Sequence, residues 1–548
     1  MSEDGQRVGK RLGMIVGGSL MAGMDLRLDS GDSIEEMAVG RYVVIEGRKK
    51  KFFGMITDVT LGTIDRQIEI TPPDMADSFV AAIIAGASTF GTVHVAPMLT
   101  IGLDAISLLE GPQPVKTVPS HFSEVREASE EDVFTVFGQD DESHFYVGTP
   151  LDMETKVCLD LKRFGERSSG IFGKSGTGKT FLTRILLIGL VQKGAAANLI
   201  FDMHNEYGWE GSCEGGQSST VKGLKQLFPA KVAVFTLDEE SSRTRKVLTD
   251  FTVEIGYDQV EPEDIEMLSE LLGLSPRAMD AIYAMVRKYG ASRWLETFLS
   301  IDSADDRDAL AESLSLHTST LRALNMSLSR LRRLKFLVPR SVEDSVQMIL
   351  GYLDRGLNVV LEFGRYSDIL AYVLVANILT RRIHGRYVEA TERAMGDRKQ
   401  MPRQLVITIE EAHKFLNPEV AKQTIFGTIA REMRKYNVTL LVVDQRPSEI
   451  DEEVMSQIGT RITCLLDNDK DIDAVLTGIS GKNDLKTVLA KLETKQQALV
   501  VGHAVPMPVV IRTRDYGSAE SYREFGFSSA VELRRRAEKD NDDLFGDR

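Results

Sequence analysis

Gly173-Lys174-Ser175-Gly176-Thr177-Gly178-Lys179-Thr180 sits between the apolar Gly170-Ile171-Phe172 and an apolar run from Phe181 to Val191. This is GxxxxGK[ST] in a strand–turn–helix setting, the context that gives the pattern its meaning. The glycines let successive backbone N–H groups turn toward a phosphate at the positive end of a helix dipole. Gly173, Ser175, Gly176, Thr177 and Gly178 are then expected to line the phosphates. The Lys179 ammonium would reach the β- and γ-phosphates, and the Thr180 hydroxyl would ligate Mg²⁺. The expected cofactors are ATP and Mg²⁺.

Outward from this stretch, apolar runs alternate with helical ones: Asn198 to Asp202, Val232 to Leu237, Asn358 to Glu362, Leu405 to Ile409, Thr439 to Val443 and Ile462 to Leu465. Strands this uniformly apolar are buried on both faces, so an α/β fold with a largely parallel sheet is expected. In such a sheet, polar groups just past the carboxyl ends of strands face the ligand crevice. One run ends in Glu410-Glu411. The first carboxylate is placed to hold Mg²⁺ through water, and the second to orient or deprotonate the attacking water. A second run leads into Asp202-Met203-His204-Asn205-Glu206-Tyr207. Asp202 and Glu206 are candidates to face the nucleotide, with helix capping by Asp202 an equal alternative. Arg431 and Arg434 fall in a basic cluster, an arrangement more often a solvated helix face. An oligomeric nucleotide hydrolase, however, needs an arginine from the neighbouring subunit at the transferring phosphoryl group. Gln445 follows the strand Thr439 to Val443, where it is placed to sense the γ-phosphate.

The chain has 548 residues, 43% of them hydrophobic and 27% charged, which calls for two or three separate cores. Residues 7 to 115 read as short alternating β-segments broken by glycine, among them Leu12 to Val16, Tyr42 to Glu46, Phe52 to Val59 and Gln67 to Thr71. They suggest a small barrel. The acidic stretch Glu124 to Glu142 reads as a surface connection. Between Glu261 and Ile349 helical periodicity runs without a convincing strand, as expected of an inserted helical region. The charged stretch Ser528 to Lys539 reads as a closing helix. Net charge is −15, and residues 1–150 hold 23 Asp and Glu against 12 Lys and Arg. An acidic total excludes an indiscriminate polycation and leaves room for a locally basic channel. Three cysteines without metal-ligand spacing fit a reducing compartment and argue against disulfides or zinc. With no membrane-length apolar run and no signal-peptide pattern, a cytoplasmic protein without a membrane partner is expected.

Taken together, GKSGTGKT, DMHNEY, ITIEEAH, REMRKYNVTLLVVDQRPSEID and the closing QALVVGHAVPMPVVIRT resemble the HerA family of hexameric DNA motors, relatives of FtsK-like pumping ATPases. The match runs in order from Phe164 to Arg514. It implies a RecA-like P-loop NTPase domain over residues 157–515 with a helical insertion at about 257–350. A HAS-type barrel would fill residues 1–120, a connecting segment 121–156, and a brace helix that crosses to a neighbour 516–548. It also implies a homo-hexamer with DNA in a central channel, Arg431 or Arg434 as the arginine acting in trans, and Gln445 as the polar sensor. The expected partner is a NurA-like nuclease in DNA end processing; the alternative is an ATPase scaffold that regulates an effector subunit in antiphage defence. Two departures stand out: Glu410 where aspartate is usual, and Asn437 where the family often has glycine.

Overall fold

Glycine-broken, alternating strands at the N-terminus can bury one face only by closing on themselves, and they do so. The computed structural model describes residues 9–29, 33–63, 76, 89–212, 220–301, 303–366, 368–396, 401–419, 421, 425–479 and 481–527. The first strands are β1 (Arg11–Ser19), β2 (Gly23–Leu28), β3 (Tyr42–Glu46), β4 (Lys50–Thr63), β5 (Thr89–Gly102), β6 (Gln113–Pro114) and β7 (Glu124–Glu127). They run in the order β2-β1-β7-β3-β4-β5-β6, and β2 pairs again with β5. That second pairing closes six strands into a barrel without open edges. Leu12, Ile15, Leu26, Val43, Ile45, Val93, Val95 and Val125 fill its core. The expected strand Gln67 to Thr71 lies outside the described residues.

The acidic surface connection expected at Glu124 to Glu142, within the connecting segment 121–156, is corrected. Glu124–Glu127 is β7, hydrogen-bonded between β1 and β3. It is followed by α1 (Glu130–Phe137), whose Ser129 and Asp132 form a reciprocal cap. Charge hid the alternation: Val125 points inward and is fully buried, and Arg126 is 6% exposed. The Arg126 guanidinium donates to Asp132 at 2.6 and 3.2 Å and to Glu46 at 3.0 Å, which makes an acidic strand tolerable inside the barrel wall. Burial opposes ionisation of Asp132, yet Arg126 and the Ser129 contacts hold its carboxyl down at about 2.

The chain continues through β8 (His144–Pro150), β9 (Val157–Asp160), β10 (Ser169–Phe172), α2 (Lys179–Lys193) and β11 (Ala197–Asp202). Next come β12 (Val232–Thr236), β13 (Phe251–Thr252), β14 (Asn358–Glu362), α3 (Ile369–Ala394), β15 (Leu405–Glu410), α4 (Ile425–Glu432) and β16 (Val438–Asp444). The last used below are β17 (Thr460–Thr463), α5 (Asp469–Val475), β18 (Gln497–Gly502) and β19 (Val509–Thr513).

These residues fall into two units, one of 1–182, 444–448 and 458–514, the other of 183–443, 449–457 and 515–548. In the first, β10 pairs with β17 in parallel, and β18, β19, β8 and β9 continue from β17 in antiparallel fashion. The short link 503–508 between β18 and β19 permits only an antiparallel return, since a parallel one needs a crossover of a dozen or more residues. In the second unit β13, β12, β14, β11, β15 and β16 pair in that order, all parallel.

Within the second unit, helices Pro262–Glu266, Pro276–Tyr289, Trp294–Leu299, Ala304–Ser313 and Thr318–Leu328 form the inserted region. A two-residue pairing of Ile255–Gly256 with Leu337–Val338 closes its base. Ala281, Ile282, Met285, Trp294, Leu321, Leu324 and Leu328 are buried at helical spacing. The buried Asp264 ties this region to α3, accepting from Asn377 at 2.7 Å and from Arg381 at 2.8 Å. The expected closing helix Ser528 to Lys539 lies outside the described residues.

Removing one member of a buried ion pair leaves the other uncompensated. Arg126→Ala should therefore lower unfolding free energy by about 3 kcal/mol in a denaturant titration at pH 7. Asp132 is held below its unfolded value, so this contribution is present above about pH 4 and fades as pH falls toward 2. The gap between parent and variant should narrow in the same direction.

Candidate functional site

In the first unit the glycine-rich stretch spans the end of β10 and the start of α2, whose first residue is Lys179. Gly178 adopts φ +92°, a backbone shape that L side chains rarely take. A Cβ on Gly173 would come within 2.8 Å of Cys464 and of the Thr177 hydroxyl. The Thr177 hydroxyl and the Lys179 ammonium both donate to the Lys174 carbonyl at 2.8 Å. These residues fit a polyphosphate: glycines make room for backbone N–H groups, a helix begins at the turn, and an ammonium lies folded across it.

In the second unit, the neighbouring strands β14, β11 and β15 each end on a carboxylate: Glu362, Asp202 and Glu410. Asp202 and Glu362 stand opposite one another in register. Their exposures are 0% for Asp202 and Glu362 and 6% for Glu410. Asp202 accepts the N–H groups of Glu206 and Tyr207, both at 2.8 Å, and so fixes the turn that leaves β11. No helix follows at residues 203–210, so Asp202 holds a turn and does not cap a helix. Glu206 gives its N–H to Asp202, and its carbonyl takes the guanidinium of Arg184. The Tyr207 hydroxyl donates to Glu410 Oε1 at 2.6 Å. Glu410 Oε2 is buried without a hydrogen-bond partner. Beneath lie the rings of Phe201, Phe363, Tyr372, Phe415 and Phe426, with Tyr372 4.6 Å from Phe415 and 4.7 Å from Phe363. Burial over this apolar floor, with Asp202 close by, pushes the Glu410 carboxyl up to about 8. Burial likewise raises Asp202 and Glu362.

Glu411 follows in the left-handed region at φ +48°, half-buried, with His413 Nδ1 3.7 Å from its Oε2. Such backbone in a non-glycine residue is costly and clusters at functional sites. Arg431 is on α4, half-buried; Arg434 is exposed on the 3-10 turn Met433–Tyr436. Asn437 ends that turn at φ +61° and donates its side-chain amide to the Pro402 carbonyl at 2.8 Å. It thus occupies the conformation glycine would favour and adds a contact glycine cannot make. Gln445 is half-buried just past β16, beside a turn in which Asp444 accepts the N–H of Arg446 at 2.7 Å.

Two residues escaped the sequence reading. Tyr207 was read only as part of a motif. Glu362 was read only as the end of a strand; its Oε2 takes the Arg245 guanidinium and its Oε1 lacks a partner. The signal for Glu362 was present, since NVVLE ends on an acid as NLIFD and LVITIE do. Among the described residues no three His, Cys, Asp or Glu side chains are grouped to hold a metal, and no helix is long and apolar enough to cross a membrane.

Residues 145–383 match the family described as Helicase HerA, central domain, and residues 12–107 match the HAS barrel domain. The DNA double-strand break repair helicase HerA of Pyrococcus furiosus is 23% identical over 414 residues, covering 72% of this chain and 73% of that protein. Its namesake from Saccharolobus solfataricus is 22% identical over 486 residues, 86% of this chain and 87% of that one. Among solved structures, VirB4 of Thermoanaerobacter pseudethanolicus aligns with a TM-score of 0.45 at 16% identity, over 70% of this chain and all of that one.

Glu410 ionises near 8 in the folded chain against a usual value of 4.5. A raised carboxyl stabilises below its unfolded value, and that stability is lost as pH rises through the folded one. Glu410→Gln removes this titration. The melting temperature of the variant relative to the parent should therefore rise between pH 5 and pH 8.5. A difference that stays constant across that window would show that Glu410 ionises normally.

Proposed function

We propose that this chain, which shares its barrel and central domain with the HerA helicase family, is an ATP hydrolase that drives DNA translocation. The observation that carries the reading is GKSGTGKT folded as a glycine turn between β10 and α2, with Lys179 at the helix start. The helicase names of the relatives support DNA as the substrate.

Gly173, Ser175, Gly176, Thr177 and Gly178 cradle the triphosphate, and Lys179 exchanges the Lys174 carbonyl for β- and γ-phosphate oxygens. Thr180 supplies a hydroxyl for Mg²⁺, which when bound neutralises charge on the transferring phosphoryl group. Glu410, whose Oε2 has no hydrogen-bond partner, would help hold that cation through water. A nearby divalent charge favours the ionised carboxylate, reversing the pull of burial. Tyr207 orients Glu410, and Asp202 holds the turn bearing Glu206 and Tyr207. Glu411 positions and deprotonates the attacking water. Gln445 reads the γ-phosphate, and Arg431 or Arg434 completes the site of the next subunit in a homo-hexameric ring. DNA runs through the channel of that ring toward a partner nuclease.

Lys179→Ala should abolish hydrolysis and most nucleotide binding. Glu411→Gln should bind ATP while turnover falls on the order of 10² to 10⁴-fold, because an amide cannot take up a proton. Equilibrium binding and steady-state kinetics on both variants separate these outcomes. Normal kcat in Glu411→Gln with loss in Glu410→Gln would reverse the two roles.

Arg431→Ala or Arg434→Ala should cut hydrolysis about 10³-fold with ATP binding intact. Mixed with Lys179→Ala subunits, the affected variant should regain activity, since some interfaces then pair an intact P-loop with an intact arginine. Rings that exchange subunits and never exceed the sum of both variants would place the arginine in cis.

DNA affinity should fall steeply with salt and depend little on sequence, as expected when phosphates are the contacts. A filter-binding titration giving a flat salt response would count against translocation.

A further inference from the structure

The segment joining β17 to α5, Cys464 to Asn468, makes contacts that no recognised motif assigns. β10 and β17 pair in parallel from Ser169↔Thr460 to Phe172↔Thr463. Their ladder continues past both strands: Cys464 donates its N–H to the Phe172 carbonyl at 2.8 Å, and Lys174 donates its own to Leu465 at 3.0 Å. The glycine turn therefore starts as one more rung. Lys174 is its hub. Its ammonium lies 2.9 Å from both carboxylate oxygens of Asp467. Its carbonyl carries the Thr177 hydroxyl and the Lys179 ammonium, each at 2.8 Å.

Just beyond, α5 grips a second loop. The buried carboxylate of Asp471 accepts the Ser448 N–H at 3.0 Å and so anchors the loop Asp444–Ser448, which carries Gln445. α5 is pinned at both ends. Asn468 accepts the Lys470 N–H at 3.0 Å. The buried Arg461 guanidinium donates to the carbonyls of Val475 and Thr477 at 2.7 and 2.6 Å, where a cation complements the helix dipole. One rigid piece of chain thus holds both the glycine turn and the Gln445 loop.

We propose that Asp467 and Asp471 are positioning residues for nucleotide turnover, Asp467 setting the glycine turn through Lys174 and Asp471 setting the Gln445 loop through Ser448. Both roles presuppose the ATP hydrolysis proposed above. When a triphosphate arrives, Lys179 must leave the Lys174 carbonyl, and a turn already held in place spares binding the cost of ordering it. The Lys174 and Asp467 side chains are 36% and 65% exposed, so their ion pair adds little to folding. Its loss should register in nucleotide affinity instead of stability.

The test measures binding of a fluorescent ATP analogue, Mg–ATP kinetics and thermal melting on the full chain. Asp467→Ala should raise Kd and KM about fivefold, with kcat within about twofold and an unchanged melting temperature. Lys174→Ala should do the same, the double variant should be no worse than either, and Asp467→Glu should recover most of the affinity. Asp471→Ala should lower kcat about tenfold with little change in Kd. Asp471→Asn, which keeps an acceptor oxygen for Ser448, should retain turnover and guard against a folding defect. Parental KM in Asp467→Ala, additive losses in the double variant, or equal kcat in both Asp471 variants overturns the respective role. A parent chain that neither binds nor hydrolyses ATP instead overturns the ATPase reading, and the positioning roles fall with it.

Discussion

A carboxylate taken out of water costs several kcal/mol unless hydrogen bonds, opposite charge or a proton compensate it. That constraint organises the second unit. Three adjacent parallel strands each bring an acid to their carboxyl end, and each acid is accommodated differently. Asp202 receives two backbone N–H groups, Glu362 receives Arg245, and Glu410 receives the Tyr207 hydroxyl together with a proton it gives up only near pH 8. The aromatic rings below them exclude water and keep all three charges expensive. The edge is consequently poised: a divalent cation or a nucleotide alters the balance far more there than at a solvated surface.

The first unit solves a different problem, which is to hold a glycine-rich turn in place at the start of a helix. The parallel ladder of β10 and β17 runs on into the glycine turn and fixes its entry. Lys174 then occupies its own carbonyl with Thr177 and Lys179. The Lys179 ammonium donates to this neutral carbonyl, and a charge-assisted bond to a phosphate would be stronger than that one.

Fold class and most strand positions were legible because apolar runs in a parallel sheet are nearly uninterrupted. Tyr42–Glu46 and Asn358–Glu362 fall where the pattern puts them, the other runs of the parallel sheet shift by one or two residues at their ends, and β1 and β4 extend three and four residues past Val16 and Val59. The barrel was readable from alternation, except at β7. There two glutamates flank Val125 and Arg126, and acidity outweighed the inward-facing valine. Only the pairing of Arg126 with Asp132 and Glu46, residues remote from one another in part, shows how such a strand is buried. Asn437 is the reverse case: a turn demanding positive φ was visible as a departure from glycine, and its contact with Pro402 was not.

The sequence by itself determined which groups are present: a glycine-rich turn at a helix start, carboxylates at strand ends, and a basic segment ahead of Gln445. Those depend on residue type and spacing within a few positions, which local backbone geometry translates directly. Only the tertiary structure decided which groups share a hydrogen bond. Tyr207 meets Glu410 across 203 positions of chain, and Lys174 meets Asp467 across 293. Nothing local encodes such pairs, because strand order and register, set by the burial of whole sheet faces, bring them together.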